Sequence, residues 1–315
     1  MEDQINIIKS RPHPAEYVFD IEALNPFLYV ALQEDRKHIY FLIKPSQIDK
    51  SSFAPLSINY LSCDYKKLSI NDDGKELIDY FFVVKLLNDS LKSILFFWLR
   101  TFSRELSDSS SSSYIYEKIN DYIELFQKSN SKRRSVIGLW GELFFIYNSN
   151  NLSYYVDCWS IDVREKLDFS FKSIGVDVKT TTKDKRVHST KYNQIYRLKS
   201  TFITSIYSIE KHDRGISIKD LQEKLSKKLS SKQNSKITDI IIDTLSDKPN
   251  FKESLETKYN SSIAKKTIKM FPIEHSDKDI FHVPDYVDQE SMSFQIDLSS
   301  CKSITQDVFN DKFLK

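Results

Sequence analysis

Two short stretches, Leu167-Asp168-Phe169 and Val176-Asp177-Val178-Lys179-Thr180, decide how this chain is read. Each is a run of apolar, β-branched or aromatic residues with an acid inside it, and Ser173-Ile174-Gly175 between them marks a turn. Such runs read as neighbouring strands of a hairpin. Side chains alternate along a strand, so Asp177 and Lys179 leave one face while Val176 and Val178 enter the core behind them. Asp168, on the preceding strand, can bring its carboxylate to the same place. Two carboxylates and an ammonium on one rigid sheet are what phosphodiester hydrolysis needs. A hard divalent cation takes oxygen ligands, commonly one or two carboxylates plus waters and substrate. It polarises the phosphate and lowers the pKa of an attacking water. A lysine beside it orients that water or offsets the charge that builds up on phosphorus.

The spacing alone is weak evidence. Asp/Glu-x-Lys occurs five times, at Asp35, Asp64, Asp73, Asp177 and Glu256. Only Asp177 sits in an apolar strand that follows another Asp-bearing strand. Taken alone, that segment fits a surface ion pair on an exposed strand edge equally well.

The upstream segment Ser135-Val136-Ile137-Gly138-Leu139-Trp140-Gly141-Glu142-Leu143-Phe144-Phe145 adds to it. It has helical spacing, yet carries two of the chain's 5 glycines. Glycine inside a helix costs up to about 1 kcal/mol relative to alanine, so a pair of them points to close approach by another element. Glu142 is the only acid between Gly138 and Tyr147 and has bulky apolar neighbours. Its carboxylate either meets a partner, faces a polar site, or lies on a solvent edge.

With the helix GLWGELFFI, Trp159, LDF, VDVKTTT and Arg186-Val187-His188, the chain resembles a bacterial family grouped with the PD-(D/E)XK nucleases. The motifs cover about residues 134–194. Late Lys-Met-Phe-Pro (269–272) and residues 287–298 are compatible with a longer match. The resemblance implies an α/β (α+β) fold with a restriction-endonuclease-like α-β-β-β-α-β core. The expected core elements are a helix at 132–147, strands at 154–161, 166–171 and 176–181, a short helix at 190–198 and a strand at 202–210. It also implies Asp168 and Asp177 as metal carboxylates, Lys179 as the catalytic lysine, Glu142 as a third acid contributed by the helix, and Mg²⁺, or Mn²⁺, as cofactor. Two departures stand out: Leu167 rather than proline precedes Asp168, and the second acid is Asp177 rather than glutamate.

Past the lysine, Thr181, Lys183, Lys185, Arg186 and His188 form a basic loop, with Gln194 on the helix expected after it. These are candidate nucleic-acid contacts, of the backbone kind that positions a duplex without reading its sequence. His188 can also assist proton transfer, although a lone histidine is more often a hydrogen-bonded structural residue. Lys132-Arg133-Arg134 is a second basic cluster, and a charged, solvated turn is its default meaning. The net charge is only +2, but residues 164–199 hold ten Lys/Arg against four Asp/Glu, or +6, leaving −4 for the remainder. The basic surface is therefore local, and it coincides with the candidate site.

Strand signals dominate the first hundred residues, then helical spacing takes over at 90–106, and the run SDSSSSS at 107–113 fits a linker or, equally, an ordinary exposed loop between two helices. This gives a strand-rich N-terminal region at 1–113 ending in a helix, a nuclease-like core at 114–245, and a small C-terminal β extension at 246–315 packing on the core. Cys63, Cys158 and Cys301 show no zinc spacing. No apolar run approaches the ~18–20 residues that span a bilayer, and the N-terminus lacks signal-peptide order. These features suggest a soluble, cytoplasmic protein that does not engage membranes.

The expected function is a Mg²⁺-dependent endodeoxyribonuclease in bacterial restriction or phage defence, with DNA as partner. Cutting two strands is compatible with a homodimer or with other defence-system proteins. The alternative is a non-catalytic nucleic-acid-binding or assembly subunit that keeps the fold.

Overall fold

In the computed structural model the described residues are 19–33, 39–58, 60–72, 75–87, 92–127, 134–160, 167–191, 194, 200–211, 213–246, 248, 250–273 and 292–314. The chain divides into two compact units, Met1–Asn130 and Ser131–Lys315.

The described residues of the first unit form an antiparallel sheet and two helices. Its strands are β1 (Phe19–Asn25), β2 (Leu28–Gln33), β3 (Ile39–Ile43), β4 (Leu56–Ile58), β5 (Leu61–Asp72) and β6 (Lys75–Leu86), in the order β1-β2-β3-β6-β5-β4. The helices are α1 (Lys92–Phe102) and α2 (Ser112–Gln127). Tyr29, Ala31, Tyr40, Leu42, Phe81 and Val83 share one buried cluster. That alternation puts them on one face of the sheet, and the residues between them, Val30, Phe41 and Phe82, are buried on the other. On α1, Phe96 meets Phe41 edge-on and Trp98 stacks on Tyr122 of α2.

The polyserine run is not a linker. Ser112 is fully buried, and its hydroxyl donates to the Asp49 carboxylate and to the Lys50 carbonyl at the start of α2. Residues 107–113 thus tie the start of α2 to the segment between β3 and β4, and α2 belongs to the first unit. The division between units falls at residues 130 and 131 rather than at 113 and 114.

The second unit contains α3 (Val136–Tyr147), α4 (Leu152–Cys158), β7 (Phe169–Phe171), β8 (Ile174–Thr181), β9 (Val187–Lys191), β10 (Ser200–Tyr207), β11 (Ile216–Ser217), α5 (Ile218–Ser226), α6 (Ser231–Leu245), α7 (Phe251–Glu256), β12 (Lys258–Tyr259), α8 (Ser261–Thr267), β13 (Lys269–Ile273), β14 (Ser293–Asp297) and α9 (Gln306–Phe313). Its central sheet has the order β13-β10-β8-β7. β8 and β10 run parallel, and the other two pairings are antiparallel. Two-stranded pairings β11-β12 and β9-β14 flank it.

Two expected core elements differ from those observed. Residues 154–161 were expected as a strand, but Leu152–Cys158 is helical. Asn151 caps it by accepting from Tyr154 N, and the buried positions Tyr155, Val156 and Trp159 follow helical rather than alternating spacing. In place of a helix beginning at 190, strand β9 continues through Lys191 and pairs with β14. Gln194 is helical, and residues 195–198 lie outside the described residues. Residues 274–291 of the expected C-terminal β extension also lie outside them. The element bounds expected at these two places therefore do not hold, and the second unit is a mixed α/β architecture.

Candidate active site

The hairpin carrying the acids turns more tightly than its sequence suggests. Phe171 pairs directly with Ile174, leaving Lys172 and Ser173 as a two-residue loop, while Gly175 lies within β8. Lys172 takes φ 54°, the left-handed conformation that such loops demand and that lysine adopts rarely. The tight turn sets Asp168 against β8: its Oδ2 accepts from the Val178 backbone N–H at 2.7 Å. Its main-chain carbonyl accepts from Ser160 N at 2.8 Å. Asp177 and Lys179 share a face of β8, as expected, and their side chains form an ion pair at 2.8 Å. Val176 and Val178 are buried.

Helix α3 lies close against this strand because Gly141 permits it. A Cβ at Gly141 would overlap Thr180 Oγ1 and stand 2.9 Å from Thr180 Cβ. Gly138 serves a different end: a Cβ there would come within 2.9 Å of Ser135 Oγ, which caps the helix by accepting from Gly138 N. One turn on from Gly138, Glu142 is buried and fully engaged. Arg134 Nε donates to Oε1 at 3.0 Å and to Oε2 at 2.9 Å, and Trp159 Nε1 donates to Oε2 at 2.6 Å. The Arg134 guanidinium also donates to the Ser160 carbonyl at 2.8 Å. Arg134 and Trp159 are the partners that the apolar neighbours of Glu142 require; Arg134 stood out in the sequence only as part of a basic cluster, and Trp159 only as part of the resemblance. Lys132 and Arg133 lie outside the described residues.

The electrostatics bind the three acids into one system. Burial, and then the negative charges of Glu142 and Asp177, push the Asp168 carboxyl well above the ordinary carboxylate range. Burial raises Glu142 as well, against the pull of Arg134 and Trp159. For Lys179 burial opposes the ammonium, but Asp177, helped by Asp168 and Glu142, more than offsets it and leaves the pKa above lysine's usual value. Ionised together, the three carboxylates carry −3 against the +2 of Arg134 and Lys179. The surplus of buried negative charge and the hard oxygen donors fit a divalent cation. The fit is to two carboxylates, not three. No cluster of three or more metal-capable side chains exists among the described residues, and Glu142 already spends its oxygens on Arg134 and Trp159.

The expected nucleic-acid contacts separate into two groups. Thr181, Lys183 and Lys185 lie on or beside the loop after β8; both lysines are exposed, and Thr181 Oγ1 accepts from Lys183 N at 3.0 Å. Arg186, His188 and Gln194 have internal partners. Arg186 donates to the carbonyls of Ser205 and Thr267 at 3.2 and 2.6 Å and lies over the Phe271 ring. His188 is buried, with Nε2 2.7 Å from Ser205 Oγ. Burial, reinforced by the nearby Lys179 ammonium, pushes its pKa down to about 4. Gln194 Oε1 accepts from Lys191 N at 2.9 Å and Thr190 Oγ1 at 3.2 Å. This is the structural role that a lone histidine commonly has, and no sequence signal pointed to Ser205 as its partner.

Residues 28–265 match a family model, DUF4420, described as "Putative PD-(D/E)XK family member". The chain belongs to this family. The matched range spans both units and includes the elements that carry the candidate site. No curated protein and no solved structure gives a significant match. No helix among the described residues is long and apolar enough to cross a membrane.

Proposed function

We propose that the chain is a Mg²⁺-dependent endodeoxyribonuclease, built on a restriction-endonuclease-like core and acting in the cytoplasm in bacterial restriction or phage defence. The observation that carries this reading is the joining of Asp168 and Asp177 at one peptide of β8, with Lys179 ion-paired beside them. A protein that only bound nucleic acid would gain nothing from buried carboxylates that repel phosphate. Asp168 and Asp177 would hold the cation, Mg²⁺ or Mn²⁺, which supplies charge neutralisation at the phosphate and acidifies a water. Lys179 holds its proton firmly and is set to orient the attacking oxygen or to meet charge developing on the phosphoryl oxygens. Glu142 acts one layer back. Through Arg134 it fixes Ser160, whose carbonyl accepts from the guanidinium and whose own N–H anchors the Asp168 main chain. Lys183 and Lys185 are suited to contact DNA phosphates beside the scissile bond. A homodimer, or association with other defence proteins, would bring the second site that double-strand cleavage calls for.

The test is cleavage of supercoiled plasmid, linear duplex and single strands by wild type and Lys179→Ala, with Mg²⁺, Mn²⁺ or EDTA. The expected result is cleavage that EDTA abolishes and the substitution suppresses. Cleavage unchanged in the variant would rule out this site. Absence of cleavage by a folded wild type that still binds DNA would favour the assembly-subunit alternative.

A further inference from the structure

The chain between β8 and β10 makes an excursion that the reaction itself does not require. Having left the candidate site at Thr181, it forms β9, which pairs antiparallel with β14 from a part of the sequence about a hundred residues later: Val187↔Asp297, His188↔Ile296, Ser189↔Gln295, Thr190↔Phe294 and Lys191↔Ser293. The two faces of this ribbon differ completely. One face is anchored. His188 and Thr190 are buried, His188 bonds Ser205, and Ile296 and Leu298 pack in a cluster with Ile203, Phe271 and Ile273 of the central sheet. Ile203 and Ser205 stand level with Asp177 and Lys179 in the parallel register of β10 and β8. The ribbon is therefore seated on the catalytic face of the sheet. Arg186 bolts its base to β10 and to the end of α8, and Leu298 N donates to the Arg186 carbonyl to close it.

The other face, Val187, Ser189, Lys191, Ser293, Gln295 and Asp297, is exposed along its whole length. Water-facing polar residues on a ribbon are ordinary. This set is distinguished by its chemistry, its rigidity and its place. Gln, Lys, Asp and Ser supply the amide, ammonium, carboxylate and hydroxyl groups that read adenine, guanine and cytosine edges, and Val can contact a thymine methyl. A two-stranded ribbon fits the major groove, which is roughly 12 Å wide. Residues on one face recur about every 6.8 Å, close to two base-pair steps of about 3.4 Å each. The ribbon's base carries exposed Lys183 and Lys185, placed to meet phosphates on the groove's rim.

We infer that the β9–β14 ribbon is a major-groove reading head for duplex DNA, with Ser189, Lys191 and Gln295 as its principal base-contacting residues. It deepens the nuclease reading, on which it rests for the identity of the substrate, and it makes the enzyme sequence-selective.

Selection from a pool of randomised duplexes in EDTA, where nothing is cut, tests the ribbon separately from catalysis. The wild-type chain is compared with Ser189→Ala/Gln295→Ala and with Lys183→Ala, all checked for unchanged thermal unfolding. Wild type is expected to enrich a short motif. The double variant should lose about 5- to 150-fold of discrimination at one or more motif positions, as expected for lost base contacts. Lys183→Ala should instead weaken every duplex alike and lower the salt dependence by about one phosphate contact. Replacing purine N7 by carbon within the motif should remove the preference in wild type. A motif retained unchanged by the double variant would overturn the inference, as would enrichment of no motif. If no motif emerges yet plasmid is cut under Mg²⁺, the ribbon reading fails and the nuclease stands. If a motif is selected and the variant relaxes it while plasmid is never cut, the nuclease fails and the ribbon stands.

Discussion

Replacing Gly141 with alanine tests how tightly α3 and β8, the strand of Asp177 and Lys179, depend on each other. The new Cβ would overlap Thr180 Oγ1 and approach Thr180 Cβ to 2.9 Å, closer than real Cβ contacts come. Rotating the threonine moves Oγ1 but not its Cβ, so the helix or strand must shift by several tenths of an ångström. Overpacking of this kind costs about 1–3 kcal/mol, and alanine's better helix propensity returns up to about 1 kcal/mol. With the full return, the expected net loss is roughly 0–2 kcal/mol. Activity should suffer more than stability, because Thr180 adjoins Lys179, and misplacing a reacting group by about 1 Å can cost on the order of 10²-fold. Urea denaturation and plasmid cleavage would be measured on Gly141→Ala, Thr180→Ala and the double variant. The double variant should recover part of both losses, since removing Oγ1 relieves the closer clash and leaves the 2.9 Å contact. Simple additivity of the two substitutions would refute the idea that these two residues set the spacing of helix and strand.

Other expectations concern the charges around the site. Arg134→Met should destabilise by about 3–5 kcal/mol by leaving Glu142 buried without its cation, whereas Arg134→Met/Glu142→Leu should recover most of that loss in chemical denaturation. Millimolar Mg²⁺ should raise the unfolding temperature of wild type, and the rise should vanish in Asp168→Asn/Asp177→Asn; an equal rise in both would place the cation elsewhere. His188 is neutral in the fold, with its pKa lowered to about 4 from 6.5. The unfolded chain therefore binds the extra proton between those values, and this residue's contribution to stability falls as pH drops from about 6.5 towards 4. His188→Gln should lessen the loss of stability across that window, and an unchanged pH profile would show that the imidazole is not held neutral.

What could be read from the sequence was local. Asp177 and Lys179 share a face because strands alternate, and Asp168 reaches them because its hairpin closes within two residues. Gly141 revealed a close approach, and the apolar neighbours of Glu142 announced a partner without naming it. The helix at Leu152–Cys158 was missed because Tyr, Val and Trp favour strands and seven residues give too short a stretch to fix the period; the Asn151 cap was the available signal. β9 was missed because its strand partner lies about a hundred residues downstream. Ser205 and Thr267 became visible as anchors only once β8, β10 and α8 were assembled, since nothing in their own neighbourhoods marks a serine hydroxyl or a threonine carbonyl as a partner for His188 or Arg186.

Arg134 stands four residues past the division between the two units, before the first turn of α3. Where one cuts the chain therefore decides more than which domain is kept. A shortened chain starting at Ser135 would retain the N-cap, the helix, both acid-bearing strands and the ribbon, and by any inspection of secondary structure would look whole. It would nevertheless have lost the guanidinium that neutralises Glu142 and ties the Ser160 carbonyl in place. The loss would surface as a fragment that folds poorly at neutral pH and is rescued by Glu142→Gln. The lower bound of the second compact unit is thus set by a charge, and it lies upstream of α3.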